Sequence, residues 1–254
     1  MSAVHFVGAG PGAPDLITLR GKELIGRSDV IIYAGSLVNP ALLDWAKPGA
    51  EIHNSAFMTL DEVIEVMKEA HSVNKETVRL HTGDTSLYGA IREQIDRLNE
   101  LNIPWDICPG VSSFCAAAAA LGAEYTLPGI SQTVIITRAE GKTPVPDKEK
   151  LSSLAAHGAT MVLFLSANML DKVSKELISG GYLPETPAAI VYKASWPEER
   201  VLRGTVGDLA SLGEIEKIEK TAIVVIGNII GDEDYELSRL YAPDFSTGFR
   251  EAKK

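Results

Sequence analysis

Residues 4–18 read Val-His-Phe-Val-Gly-Ala-Gly-Pro-Gly-Ala-Pro-Asp-Leu-Ile-Thr, and the fold turns on how this stretch is parsed. The short apolar run at residues 4–7, followed at once by glycines, predicts a buried strand. Gly8-Ala9-Gly10-Pro11-Gly12-Ala13 superficially matches G-x-G-x-x-A, the fingerprint of a loop that enters a helix beneath a pyrophosphate. Two features oppose that parse. Pro11 and Pro14 interrupt the place where such a helix would begin, and Thr18, a good N-cap residue, marks a later start. The fingerprint also needs an acidic residue at the end of the second strand to hold a ribose. That strand, Val30–Tyr33, runs out in Tyr33-Ala34-Gly35, and Asp29 stands at its other end. The loop is therefore expected to be a backbone cradle for a ligand other than a nicotinamide dinucleotide, with a plain structural turn as the alternative.

Working outward, a third strand is expected at residues 77–80, with helices at 18–27, 60–70 and 90–101. Leu60, Val63, Ile64 and Met67 share one helical face, as do Ile91, Ile95 and Leu98. Trp105–Cys108 reads as a strand that stops at Pro109-Gly110. A helix at 111–121 follows, with alanine at every position 116–120. Strand and helix alternate, which predicts an α/β fold with a mainly parallel sheet. A boundary is expected near residues 122–128. Beyond it lie strands at 132–137, 160–165, 188–192, 200–203 and 222–226, with helices at 147–157, 169–180 and 206–212. The alternation at Val201, Leu202 and Arg203 suggests an antiparallel edge strand. The expected division is a domain at 1–121, a second at 122–231, and a polar tail at 232–254.

The chain has 254 residues, a length suited to two small domains, and a net charge of −10 from 24 basic and 34 acidic residues. That balance disfavours a nucleic-acid partner. No apolar run approaches the ~18 residues of a membrane span, and residues 1–7 lack a basic leader, so a cytoplasmic protein is expected. Cys108 and Cys115 do not form a CxxC pair, consistent with a reducing compartment. The histidines at 5, 53, 71, 81 and 157 lack metal-ligand spacing, so no metal is expected. Glu65 and Glu69 read as a solvated helix face, and Asp232-Glu233-Asp234 as a charged tail.

Two more loops resemble the first in placement. Gly83-Asp84-Thr85-Ser86-Leu87-Tyr88-Gly89 follows the strand at 77–80, and Pro109-Gly110-Val111-Ser112-Ser113 follows Trp105–Cys108. Ligands of open parallel sheets bind outside the carboxyl ends of strands, so three glycine-bearing loops at three such ends are expected to face one site.

The stretch Val7-Gly-Ala-Gly-Pro-Gly-Ala-Pro-Asp-Leu-Ile-Thr-Leu-Arg-Gly21 resembles the first signature of the tetrapyrrole (corrin/porphyrin) methyltransferases. Leu80, Gly83-Asp84, Tyr88-Gly89, Leu98, Trp105 and Pro109-Gly110 resemble the second, with matching spacing. Within that family, Tyr33-Ala-Gly-Ser-Leu-Val38, Thr137-Arg-Ala-Glu-Gly-Lys-Thr-Pro144 and Tyr192-Lys-Ala-Ser-Trp-Pro-Glu198 are most similar to the branch that methylates C-11 of precorrin-4 in cobalamin synthesis. The uroporphyrinogen branch usually carries Tyr-Asp before Leu-Val and Gly-Gly-Asp-Pro where this chain has Thr82-Gly83-Asp84-Thr85.

The resemblance implies two α/β domains with a trough between them, a homodimer, and S-adenosyl-L-methionine as methyl donor, leaving S-adenosyl-L-homocysteine. It implies cofactor contacts at Pro11, Thr82, Gly83, Asp84, Leu87, Ser112 and Ser113, then Ser166, Ala167, Ala194 and Ala222. The family often has Met at the position of Ser166 and Gly at that of Ala194. The implied substrate is a precorrin, with or without cobalt, whose carboxylates need local cations. Arg20, Arg79, His81, Arg92, Arg138, Lys142 and Lys193 are candidates, and Arg138, at a strand end, is the first choice. Tyr33 and Ser36 follow the second strand and are expected to line the substrate site. Relatives that methylate other precorrins, uroporphyrinogen, RNA or a protein are the alternatives, with a non-enzymatic cofactor-binding regulator beyond them.

Overall fold

The computed structural model describes residues 2–231 and 235–253. They form two compact units. The first holds the chain up to Ala117 together with Lys193–Arg200, and the second holds Ala118–Tyr192 and the residues from Val201 onward.

The first unit is built on a five-stranded sheet of β1 (Val4–Gly8), β2 (Val30–Tyr33), β3 (Glu51–Asn54), β4 (Thr77–His81) and β5 (Trp105–Cys108), in the order β3-β2-β4-β1-β5. Every neighbouring pair is parallel, so all five carboxyl ends emerge along one edge. Helix α1 (Leu19–Arg27) packs Leu24 and Ile25 against Val7, Ile31, Val78 and Leu80 on one face. On the other face, Val63, Ile64 and Met67 of α2 (Leu60–Ser72) and Ile95 and Leu98 of α3 (Ile91–Glu100) meet Val4, Phe6 and Ile32. Each such buried side chain contributes about 1.5–3 kcal/mol. With both faces covered, every residue of β1 and β4 is buried. Helix α4 (Ser113–Leu121) follows β5, and the division between units falls within it. Cys108 is buried at the end of β5, whereas Cys115 is exposed on α4.

The helix starts follow from capping. Thr18 accepts a hydrogen bond from the Gly21 amide at 3.1 Å, so α1 begins after the second proline and not within the glycine loop. Thr59 and Glu62 form a reciprocal capping box at the start of α2. Strand β3 was not expected. Ile52 is its one large apolar residue and is 47% exposed, because β3 is an edge strand held by pairing with β2.

In the second unit, β6 (Val134–Arg138), β7 (Thr160–Phe164), β8 (Pro187–Tyr192), β9 (Arg200–Thr205) and β10 (Ala222–Ile226) lie in the order β6-β7-β10-β8-β9. β6 and β7 are parallel, while β10 runs antiparallel to both β7 and β8, so this sheet is mixed. β9 takes the edge, as its alternating pattern suggests. Helices α5 (Leu151–Ala155), α6 (Leu170–Ser179) and α7 (Leu209–Ile215) complete the unit, and Met161, Leu163, Val173, Leu177, Ile190 and Val224 form its core. The helices expected at 147–157 and 206–212 each open with a 3-10 turn, and Lys150 is extended between the turn and α5. In residues 235–253, Arg250 Nη2 donates to the carbonyls of Leu240, Ala242 and Phe245 around the 3-10 turn Arg239–Tyr241. Asp232-Glu233-Asp234 lies outside the described residues.

Candidate active site

The carboxyl ends of β1, β4 and β5 are neighbours, with Gly8 opposite His81 and Val7 opposite Cys108. Their three glycine loops meet backbone to backbone. The Gly10 amide donates to the Gly83 carbonyl at 3.2 Å, and the Gly83 amide returns a bond to the Gly10 carbonyl at 2.9 Å. Both glycines are left-handed, at φ +78° and +63°, a conformation that disfavours a side chain. A Cβ on Gly8 would lie 2.6 Å from Gly110 Cα and 2.6 Å from the Gly83 oxygen. In this cradle Gly8 and Gly110 therefore have no room for a side chain, and Gly83 beside them is held at a positive φ that disfavours one.

Asp84 ties two of these loops together. One carboxylate oxygen accepts from the Gly110 amide at 2.7 Å, and the other accepts from the amide and hydroxyl of Ser86. Burial pushes its pKa up, but the bonds from the Ser86 hydroxyl and the two amides outweigh that and hold it below the usual aspartate value. The group is ionised at neutral pH. Leu87 closes the turn, its amide on the Asp84 carbonyl. Ser112 and Ser113 begin α4 against Gly83, where a Cβ would be 3.4 Å from Ser112 Cα. The loop after β2 joins the same edge, because the Thr82 hydroxyl donates to the Leu37 carbonyl at 3.1 Å, beside exposed Ser36. Tyr33, at the end of β2, accepts from the Ser55 hydroxyl through its carbonyl. The first unit thus brings Pro11, Thr82, Gly83, Asp84, Leu87, Ser112 and Ser113 to one sheet edge, with Tyr33 and Ser36 beside them. Buried Ala194 belongs to this unit through the segment Lys193–Arg200.

In the second unit, Arg138 pairs in register with Phe164 and Val224 with Leu163. That register puts Arg138, the Ser166-Ala167 turn and Ala222 at one end of the second sheet. Ser166 is fully buried, and its hydroxyl donates to the Phe164 carbonyl at 2.7 Å and accepts from the Ala139 amide at 2.9 Å. Ser166→Ala leaves a buried amide unpaired, a cost of about 1–3 kcal/mol. The expected result is a melting temperature several degrees lower in a thermal scan.

The cation candidates fare differently. Arg138 donates to the carbonyls of Ala139 (3.2 Å), Thr143 (3.1 Å) and Pro144 (2.7 Å), so its guanidinium shapes the loop that follows β6. Arg79 and His81 are buried on β4 and are not surface cations. Arg79 donates to Gln94 and to the Ile32 carbonyl, and burial pushes it down to about 10. Burial, and then the Arg79 charge, push His81 down to about 3, so it is neutral. Arg92 pairs with Asp96 on exposed α3, and Lys193 pairs with Glu198. Among the described residues no group of His, Cys, Asp and Glu side chains is placed to hold a metal.

Sequence reasoning missed Gly8 and Gly110 as site residues, although both stand in the loops it singled out. It also missed Asn39, whose side chain donates to the Gly12 carbonyl at 2.8 Å, and Trp196, treated below. No local signal marks Asn39, whereas Trp196 stands in the stretch Tyr192–Glu198 that carried the branch resemblance without being given a role.

A family model described as Tetrapyrrole (Corrin/Porphyrin) Methylases matches residues 3–210. A Methanocaldococcus jannaschii protein named cobalt-precorrin-4 C(11)-methyltransferase is 55% identical over 251 residues, which cover 99% of this chain and 97% of that protein. The X-ray structure of a cobalamin biosynthetic enzyme, cobalt precorrin-4 methyltransferase, matches with a TM-score of 0.88 and 46% identity, covering 90% of this chain and 95% of the other. A Thermus thermophilus uroporphyrin-III C-methyltransferase complexed with S-adenosylhomocysteine matches with a TM-score of 0.74 and 25% identity, covering 91% and 94%.

Proposed function

Since the chain belongs to the tetrapyrrole (corrin/porphyrin) methylases, we propose that it transfers a methyl group from S-adenosyl-L-methionine to C-11 of precorrin-4 or cobalt-precorrin-4. The observation that carries this reading is 55% identity over nearly the full length of both chains to a protein named for that reaction. The product is the precorrin-5 equivalent, made in cobalamin biosynthesis. The same reading takes the protein as a cytoplasmic homodimer without nucleic-acid or membrane partners. The net charge of −10 supports the first absence. Among the described residues no helix is long and apolar enough to cross a membrane.

The residues fit the donor. The glycines at 8, 83 and 110 let the three loop backbones close on one another, which fixes the loops that would receive the donor. Beside them, the ionised Asp84 carboxylate keeps lone-pair capacity for a cationic or hydroxyl group. When bound, S-adenosyl-L-methionine supplies a methyl on a positively charged sulfur, already activated for displacement by an electron-rich carbon. The chain's own task is orientation, which can supply ~7–11 kcal/mol of a barrier. In this reading Pro11, Thr82, Gly83, Asp84, Leu87, Ser112, Ser113 and Ala194 hold the donor in the first unit. Ser166, Ala167 and Ala222, at one end of the second sheet, are the second unit's own candidate contacts. Tyr33, Ser36 and the loop shaped by Arg138 meet the tetrapyrrole.

Incubation with a precorrin-4 source and isotopically labelled donor should give a product labelled at C-11 by NMR; label at another ring carbon, or none, refutes the assignment. In calorimetry the protein should bind S-adenosylhomocysteine and not NADH. Arg138→Ala, which frees the loop after β6, should lower tetrapyrrole turnover several-fold with donor affinity unchanged. Equal losses in both would remove Arg138 from the substrate side.

A further inference from the structure

The segment Lys193–Arg200 lies between strands β8 and β9, yet it packs in the first unit, on the glycine loop after β1. Ser195 Oγ accepts from the Ala13 amide at 3.0 Å. Trp196 Nε1 donates to the Pro11 carbonyl at 3.0 Å. Between those two anchors, a Cβ on Gly12 would stand 2.0 Å from Trp196 Cδ1 and 2.2 Å from its Nε1, so the indole rests directly on the glycine. The segment spans Gly12 with one polar anchor on each side.

The segment is itself tightly braced. The Ser195 amide donates to the Glu199 carboxylate at 2.6 Å, and the Trp196 and Glu199 amides close turns on the carbonyls of Lys193 and Trp196. Lys193 Nζ sits 5.2 Å from the centre of the indole. Lys193 and Ser195 are both left-handed, at φ +46° and +68°. For residues with a Cβ that conformation costs about 1–2 kcal/mol each, and it persists only where the surroundings impose it. Residues 11–13 contain two small residues and a proline, and the side chains that bind their backbone are Asn39, Ser195 and Trp196.

We propose that Ser195 and Trp196 are positioning residues for the methyl donor. They fix the backbone of residues 11–13, one step along the chain from the Gly10–Gly83 bridge, and so set the cradle without belonging to any of its three loops. This inference rests on the reading of that cradle as the donor site.

Trp196→Phe keeps an aromatic ring on Gly12 and removes the N–H. Ser195→Ala removes the hydroxyl acceptor. Each should raise the Kd for S-adenosylhomocysteine, and the KM for the donor, about three- to tenfold, the scale of one hydrogen bond. The KM for the tetrapyrrole should be unchanged and the melting temperature close to that of the parent. Unchanged donor Kd and KM in both variants would overturn the proposal. So would a parallel rise in both KM values with a matching fall in melting temperature, which would mark a merely structural role. Failure of the parent protein to bind S-adenosylhomocysteine would instead refute the donor-site reading itself.

Discussion

Gly110→Ala should abolish measurable binding of S-adenosylhomocysteine and lower the melting temperature by about 5–10 °C. The added Cβ would stand 2.2 Å from the Gly83 oxygen, 2.7 Å from Gly8 Cα and 2.9 Å from the Gly8 carbonyl carbon. All three are backbone atoms of neighbouring strand ends, so no side chain can rotate aside. Relief requires β1, β4 and β5 to shift their carboxyl ends apart. Overpacking of this kind costs about 1–3 kcal/mol, at about 2–4 °C per kcal/mol for a chain of this size. The effect on binding exceeds the effect on stability, because the loops that must separate are the ones proposed above to hold the donor. Gly26→Ala is the matched control. Its Cβ meets only the Trp45 carbonyl, at an ordinary 3.5 Å, in the last turn of α1. Alanine favours a helix over glycine by about 1 kcal/mol. That variant should melt slightly higher and bind normally in the same calorimetric and thermal scans.

Asp84→Ala should weaken S-adenosylhomocysteine binding by one to two orders of magnitude. The carboxylate is the acceptor for the Gly110 amide and for both the amide and hydroxyl of Ser86. Each hydrogen bond to a charged group contributes about 1.5–3 kcal/mol. Asp84→Asn should fall between, since its single acceptor oxygen cannot face Gly110 and Ser86 together while its amino group opposes one of them. The pH dependence has a fixed sign. The folded pKa lies below the ordinary 3.8, so the contribution is complete above that value and is lost as pH falls through the folded one. Affinity attributable to Asp84 should therefore be flat through the neutral and weakly acid range and decline only as pH falls through that lowered value, and Asp84→Asn should remove the decline. A titration of Kd against pH for the two proteins separates these outcomes.

The legible parts of this chain were those set by local chemistry. The strand at 4–7, the delayed helix start at Thr18 and the loops at three strand ends each follow from neighbouring residues, and the family match bears out the resemblance read from the two glycine signatures. Strand β3 was not legible because Glu51–Asn54 owes its conformation to pairing with Val30–Tyr33 and not to its own composition. Arg79 and His81 were named as candidate cations for the substrate's carboxylates, and composition alone does not show which strand positions face water. In an inner strand of a parallel sheet covered on both sides none does, so every residue of β4 is buried. Arg138 was rightly noticed at a strand end, but its guanidinium turns to carbonyls that lie up to six residues along the chain. Trp196 meets Pro11 across 185 positions, a distance that no local pattern reports.

The unequal exposure of the two cysteines gives the protein a built-in attachment point. Cys108 is sealed under the end of β5, so a maleimide dye should mark Cys115 alone, two residues beyond Ser113 on the same helix. An environment-sensitive fluorophore at that thiol would report occupancy of the neighbouring loops in real time, with no engineered residue needed.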